Sequence, residues 1–281
     1  MRTLGYLALG FMAFASAPHA AVSERADVTP FESGHGDIVL AVRLNGQGPF
    51  RFLLDTGSTH TVVSPKTAEA IGAPVVARTA MGSAAGSRET LVVRVNSLHV
   101  GPVIVSSLLA SVIDLAEIPG GSTVDGVIGH DALAPLRYTI DFRQRLVMWS
   151  PSHATDARGS SLELQESGGR FLIALPQRQS LLRLVPDSGA ASLLLFAPHA
   201  ALPVTSLPTL ATLKTMSGQT DVRMATLREL HVGSLTFRDV AAVVARRDGS
   251  EPVEVDGLLP LHLFDRVTID GPGKRLILEK T

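Results

Sequence analysis

The segment Phe52–Val63, FLLDTGSTHTVV, runs from apolar residues into an acid, then through Thr-Gly-Ser back to β-branched residues. An acid before glycine at the end of a strand is usually a turn and nothing more. The question is whether the chain carries a second one. Looking 132 residues further along, Asp187 stands in LRLVPDSGAASLLLF, with the same apolar approach, the same Asp-hydroxyl-Gly and the same apolar exit.

Other landmarks recur in the same order. LHVG occurs at 98–101 and again at 230–233. VDGVIGHDAL from Val124 is echoed by VDGLLPLHLF from Val255. YTIDFRQRLVM from Tyr138 is echoed by VTIDGPGKRLIL from Val267, so that Asp141 matches Asp270. Four landmarks at nearly constant offset indicate a duplication, and two copies make two lobes rather than a solenoid. Polar residues with Gly, Ser and Pro over 151–169 read as the connection, with lobes at 32–150 and 170–281.

Short Val-, Leu- and Ile-rich runs bounded by turn residues predict strands throughout, among them DIVLAVRLNG, TLVVRVNSLHVG, RFLIALP and SLLLFA. Short helices are expected at SPKTAEAIG, HDALAPL and FAPHAALP. The fold class is all-β, with two pseudo-symmetric barrel-like lobes and a cleft between them.

Composition removes other classes. The net charge of −1 with no basic run gives no reason to expect nucleic acid, and 5 % aromatic residues do not furnish stacking platforms. The absence of cysteine excludes disulfides, thiolate nucleophiles and Cys-ligated metals. Nine histidines include no H-E-x-x-H and no recognisable ligand spacing, so neither metal nor cofactor is expected. Arg2, an apolar stretch from Leu4 to Ala17 and small residues after it have the layout of a secretory signal peptide, placed at 1–20. The protein is expected to be exported, periplasmic or secreted, without stable membrane insertion once the signal is removed.

Two lobes of one shape packed about a pseudo-twofold axis bring equivalent residues together, here Asp55 and Asp187. Adjacent carboxyls cannot both ionise cheaply and so share a proton. One then serves as base toward water and the other as acid toward a carbonyl oxygen. Gly57 and Gly189 make the tight turns possible.

DTGS and DSGA, each followed by an apolar run and later by DGVIG or DGLLP, resemble the retropepsin and pepsin class of aspartic proteases, the bacterial retropepsin-like members most of all. The resemblance covers about residues 32–281. It implies an aspartic endopeptidase with Asp55 and Asp187 as the dyad, acting on a polypeptide substrate. It implies that Thr56 and Ser188 hydrogen-bond across the lobe interface and that Val127-Ile128-Gly129 braces the first turn. It also implies flap hairpins at Gly82, Ser83 and Gly86 and, in the second copy, at Gly218. The fourth motif residues differ: Ser58 is expected to donate to the Asp55 carboxylate, which Ala190 cannot do for Asp187, making Asp55 the more ionised acid. Thr61 is taken as an exposed position.

Three departures stand out. Pro260 replaces the second brace glycine, Pro186 precedes the second acid, and no tyrosine lies in a flap, since the only tyrosines are Tyr6 and Tyr138. A monomer is the expectation. The alternatives are a homodimer that uses only Asp55, and a degenerate fold that binds peptides or a partner without cleaving them.

Overall fold

The computed structural model describes residues 3–5, 19–21, 27–34, 36–83, 86–117, 123–150, 159–178, 180–197, 204–215, 218–246 and 254–281. Most of the expected leader at 1–20 falls outside these residues, as do 151–158 of the expected connection and 198–203 of the helix expected at FAPHAALP.

In the first copy six strands close into a barrel: Val39–Leu44, Gln47–Leu54, Val62–Val63, Gly86–Val100, Val103–Val112 and Gly126–Ile128. Val39–Leu44 alternates buried and exposed residues along most of its length, as a strand with one face on a core must. Six strands of the second copy repeat the arrangement: Arg170–Pro176, Leu181–Asp187, Leu193–Ala197, Gly218–Val232, Leu235–Arg246 and Gly257–Pro260. The closing contact differs. In the first barrel Arg43 and Leu44 pair with His99 and Leu98 through the backbone. In the second, the Gln177 side chain takes over: Nε2 donates to the His231 carbonyl at 2.9 Å and Oε1 accepts from His231 N at 3.1 Å.

Beside each acid-bearing strand runs a short parallel strand. Gly126–Ile128 pairs with Phe52–Leu54, and Gly257–Pro260 with Leu184–Asp187. Asp125 and Asp256 have matching turn roles, accepting from the backbone N of Arg51 and of Arg183, each at 2.8 Å.

A third sheet joins the lobes. Its six strands come in the order Ser160–Glu163, Arg275–Glu279, Arg266–Asp270, Arg137–Asp141, Leu146–Ser150 and Asp27–Pro30. Part of the expected 151–169 connection is therefore sheet, because Ser160–Glu163 supplies an edge strand to Arg275–Glu279. The two central strands are the repeated segments RYTID and RVTID, paired antiparallel so that Arg137 faces Asp270, Thr139 faces Thr268 and Asp141 faces Arg266. The sequence is self-complementary in this register. Arg137 Nη1 lies 3.1 Å from Asp270 Oδ2, Arg266 Nε lies 3.2 Å from Asp141 Oδ2, and the two threonine hydroxyls meet at 2.7 Å.

Of the short helices, Pro65–Ala70 is capped by Ser64 Oγ, which accepts from Thr67 N at 3.1 Å, and His130–Leu133 follows Gly129.

The two ion pairs match in sequence and differ in burial only at the arginine: Asp270 and Asp141 are 8 % and 7 % exposed, whereas Arg137 is 8 % and Arg266 40 % exposed. Removing one partner of a buried pair strands the other charge, at about 3–5 kcal/mol. A partly solvated pair is worth about 1 kcal/mol or less. Asp270→Asn, which strands the buried Arg137, should therefore lower the unfolding free energy in urea several-fold more than Asp141→Asn, which leaves the partly solvated Arg266. Equal losses would mean that burial does not separate the two pairs.

Candidate active site

The strands Gln47–Leu54 and Leu181–Asp187 end at the lobe interface, and Thr56 and Ser188 just beyond them reach into the other copy. Thr56 Oγ1 donates to the Pro186 carbonyl at 2.7 Å and accepts from Ser188 N at 3.0 Å. Ser188 Oγ donates to the Leu54 carbonyl at 2.8 Å and accepts from Thr56 N at 3.0 Å. Each hydroxyl thus uses its donor and an acceptor lone pair on the opposite copy, and all four bonds are buried.

This lock sets the two acids side by side. Asp55 Oδ1 accepts from Gly57 N at 2.9 Å and Ser58 N at 3.2 Å. Asp187 Oδ1 accepts from Gly189 N at 2.7 Å and Ala190 N at 3.0 Å. Both carboxyls are fully buried, both Oδ2 atoms lack a partner among the described residues, and the two groups are near enough to act on each other's ionisation. Each glycine backs the opposite acid: a Cβ at Gly189 would come within 2.9 Å of Asp55 Cγ, and one at Gly57 would overlap the Asp187 carboxyl. No other residue fits so close an approach.

Burial and the neighbouring Asp187 carboxylate push Asp55 well above the ordinary carboxylate range. Burial raises Asp187 too, while the N–H of Gly189, the Asp55 carboxyl and the Arg170 guanidinium hold it back. Both carboxyls are thus raised as a pair, and the Arg170 guanidinium opposes the rise at Asp187. The sequence reading placed the proton on Asp187, on the premise that Ser58 donates to Asp55. Instead Ser58 Oγ donates to the His60 carbonyl at 2.9 Å, and only the Ser58 backbone reaches the acid. In this respect Ser58 and Ala190 act alike.

The departures around the second acid prove coordinated. In the first copy Thr61 is fully buried, not exposed, and binds two neighbours: it accepts from Gly129 N at 3.2 Å and donates to Asp131 Oδ1 at 2.8 Å. Leu193, Pro260 and His262 stand at the matching positions of the second copy. Proline lacks the N–H that glycine 129 gives to threonine, and leucine needs none, so the polar brace is exchanged as a unit for an apolar one. Pro186 loses a donor that Leu54 gives to Ile38 O at 2.8 Å, but keeps the carbonyl that Thr56 requires.

Sequence reasoning missed Arg170 and Asp131. Arg170 is 1 % exposed and donates from Nη1 to the Gly57 carbonyl at 3.3 Å. A charged residue opening the apolar run FLIAL was the available signal. Gly82 and Ser83 end the strand Val75–Ser83, Gly86 begins Gly86–Val100 with Ser83 paired to Gly86, and Gly218 pairs with Thr215. The intervening residues 84–85 and 216–217 lie outside the described set. Among the described residues no group of three His, Asp or Glu is placed to hold a metal ion, and no helix is long and apolar enough to cross a membrane.

Two buried carboxyls sharing a proton, each held by two backbone N–H donors, can take a proton from water and give one to a carbonyl oxygen. A family model described as aspartyl protease matches residues 40–132 and 178–262, more than half of the chain. Among solved structures, a retropepsin-like aspartic protease from Rickettsia conorii matches with 14 % identity and a TM-score of 0.33, over 47 % of this chain and 92 % of that one. No curated protein matches in sequence.

Thr56→Val orphans the Pro186 carbonyl and the Ser188 N–H, at about 1–3 kcal/mol each, whereas Thr56→Ser retains the hydroxyl. Chemical denaturation should show Thr56→Val less stable than Thr56→Ser by a margin of that size. His130 lies edge-on to Phe171 at 4.4 Å, and burial pushes its imidazole from 6.5 down to about 4. Between those values the unfolded chain binds a proton that the native protein refuses. This contribution is therefore complete above pH 6.5 and declines as the pH falls toward 4. The full span is on the order of 3 kcal/mol. His130→Leu should flatten the fall in unfolding free energy between neutral pH and about pH 4.5; a fall as steep as the parent's would assign it to other groups.

Proposed function

The chain belongs to the aspartyl protease family, and we propose that it is a single-chain endopeptidase whose dyad is Asp55 and Asp187. One carboxylate takes a proton from a water molecule as the water oxygen bonds to the scissile carbonyl carbon. The other carboxyl gives its proton to the carbonyl oxygen. No covalent enzyme intermediate forms, and no cofactor is required. The substrate is an extended polypeptide held in the cleft between the lobes, where backbone hydrogen bonds give affinity and alternate side chains occupy pockets. The hairpin ends at Gly82, Ser83 and Gly86 and at Gly218 serve as flaps.

The observation that carries this reading is the reciprocal exchange of Thr56 and Ser188 hydroxyls, which sets one acid from each copy face to face within a single chain. The matching backbone donors at Asp187 favour a working second lobe over a degenerate one and a monomer over a homodimer that uses Asp55 alone. The N-terminal charge, apolar stretch and small residues support export to the periplasm or beyond.

Cleavage of an unstructured protein or a peptide library by the mature chain, with native mass measured alongside, tests the proposal. Asp55→Asn and Asp187→Asn should each lower kcat by at least about 1,000-fold with the fold intact, the scale of losing a catalytic acid or base. Full activity of Asp187→Asn in a dimeric sample would select the homodimer. A folded parent chain that binds peptides and cleaves none would select the binding role.

A further inference from the structure

Arg170 opens the strand Arg170–Pro176 in the second copy, and its bond to the Gly57 carbonyl crosses into the turn that carries Asp55. The hairpin register shows what lies opposite each acid. Ile173 pairs with Leu184, and counting back along both strands brings Arg170 level with Asp187. Val39 pairs with Leu53, and the same count brings Asp37 level with Asp55. The pseudo-twofold axis thus relates an arginine to an acid. Asp37 is turned toward its own loop, with Oδ1 accepting from Gly34 N at 2.6 Å. The backbone donors of the two acids are matched, so the difference between them lies in the surrounding side chains, and Arg170 is the one whose charge is buried across the interface.

We propose that Arg170 is the positioning residue that makes the dyad unequal, its buried guanidinium keeping the single negative charge on Asp187 and leaving the shared proton on Asp55. The inference rests on the hydrolytic reading above and assigns its roles. Asp187 takes the proton of water as the water oxygen bonds to the carbonyl carbon. Asp55 gives its proton to the carbonyl oxygen. The products of that step are a neutral gem-diol, a protonated Asp187 and an ionised Asp55. Both carboxyls are raised by burial, and the Arg170 guanidinium is among the groups that hold Asp187 back.

Other charges around the site do not reproduce this bias. Glu166 and Lys274 form an ion pair at 2.7 Å. His130, packed on Phe171 near both of them and near Asp131, is neutral above about pH 4. His262 lies against the Ala190 backbone, and burial lowers its imidazole pKa.

The test is a carbon NMR titration of the full chain labelled at aspartate Cγ, in variants that leave one dyad carboxyl each. With Arg170 in place, Asp187 in Asp55→Asn should titrate at least about one unit below Asp55 in Asp187→Asn, the lower end of the shift that an adjacent opposite charge produces. Adding Arg170→Met should erase most of that gap, and Arg170→Lys should keep it. In the chain with both acids, Arg170→Met should move the acidic limb of kcat/KM upward by about one pH unit, and Arg170→Lys should not. An Asp187 that titrates level with or above Asp55, or that is unmoved by Arg170→Met, overturns the proposal. If Arg170→Met does not fold, the two single-carboxyl variants with Arg170 intact still decide it. The titration needs no turnover, so a chain that cleaves nothing can still show the bias, and a working protease can still lack it.

Discussion

Everything at the candidate site depends on two hydroxyls that leave their own lobe. Thr56 and Ser188 each donate to a carbonyl and accept from an amide of the other copy. These groups are buried, so an unmade bond costs far more than a made one contributes. That asymmetry turns a weak preference into a constraint on position. Once it is satisfied, Gly57 and Gly189 have no room for a side chain, because the opposing carboxyl occupies the space. The raised carboxyl pKa values follow from the same geometry, since burial and proximity come together.

The six-stranded sheet fixes the lobes at a distance from the acids. Its central strands pair a repeated segment with itself, and the antiparallel register puts each arginine against the other copy's aspartate. A slip by one residue would place Arg and Asp against apolar neighbours and turn every side chain to the other face. The hydroxyl lock and this sheet therefore define the pseudo-twofold axis at two separate places, and the acids inherit their juxtaposition from both.

Departures from symmetry are of two kinds. Thr61, Gly129 and Asp131 give way to Leu193, Pro260 and His262, a change that exchanges one satisfied brace for another. Arg170 is different, because its buried guanidinium crosses the interface to the turn of the other copy. The first kind keeps each acid's turn braced; the second makes the acids chemically distinct without disturbing their backbone donors.

The repeat offsets sufficed for two lobes and for Asp55 and Asp187 as the candidate pair, the strand pattern for the all-β class, and the family resemblance for Thr56 and Ser188 as interface hydroxyls. A duplicated Asp-hydroxyl-Gly turn is a local pattern, and local patterns are legible along a chain. Burial and partner choice are not, because they depend on residues distant in sequence. Thr61 reads as an exposed turn residue until Gly129 and Asp131 close over it. Ser58 reads as a donor to Asp55 until the chain path puts the His60 carbonyl nearer its hydroxyl. Arg170 reads as the polar start of a strand until the lobes meet and bury it against the other copy's turn. The sequence by itself determined which residues recur and hence which two acids meet. Which of them holds the proton was decided only by the tertiary structure, because a carboxyl responds to the charges and donors packed around it rather than to its neighbours along the chain.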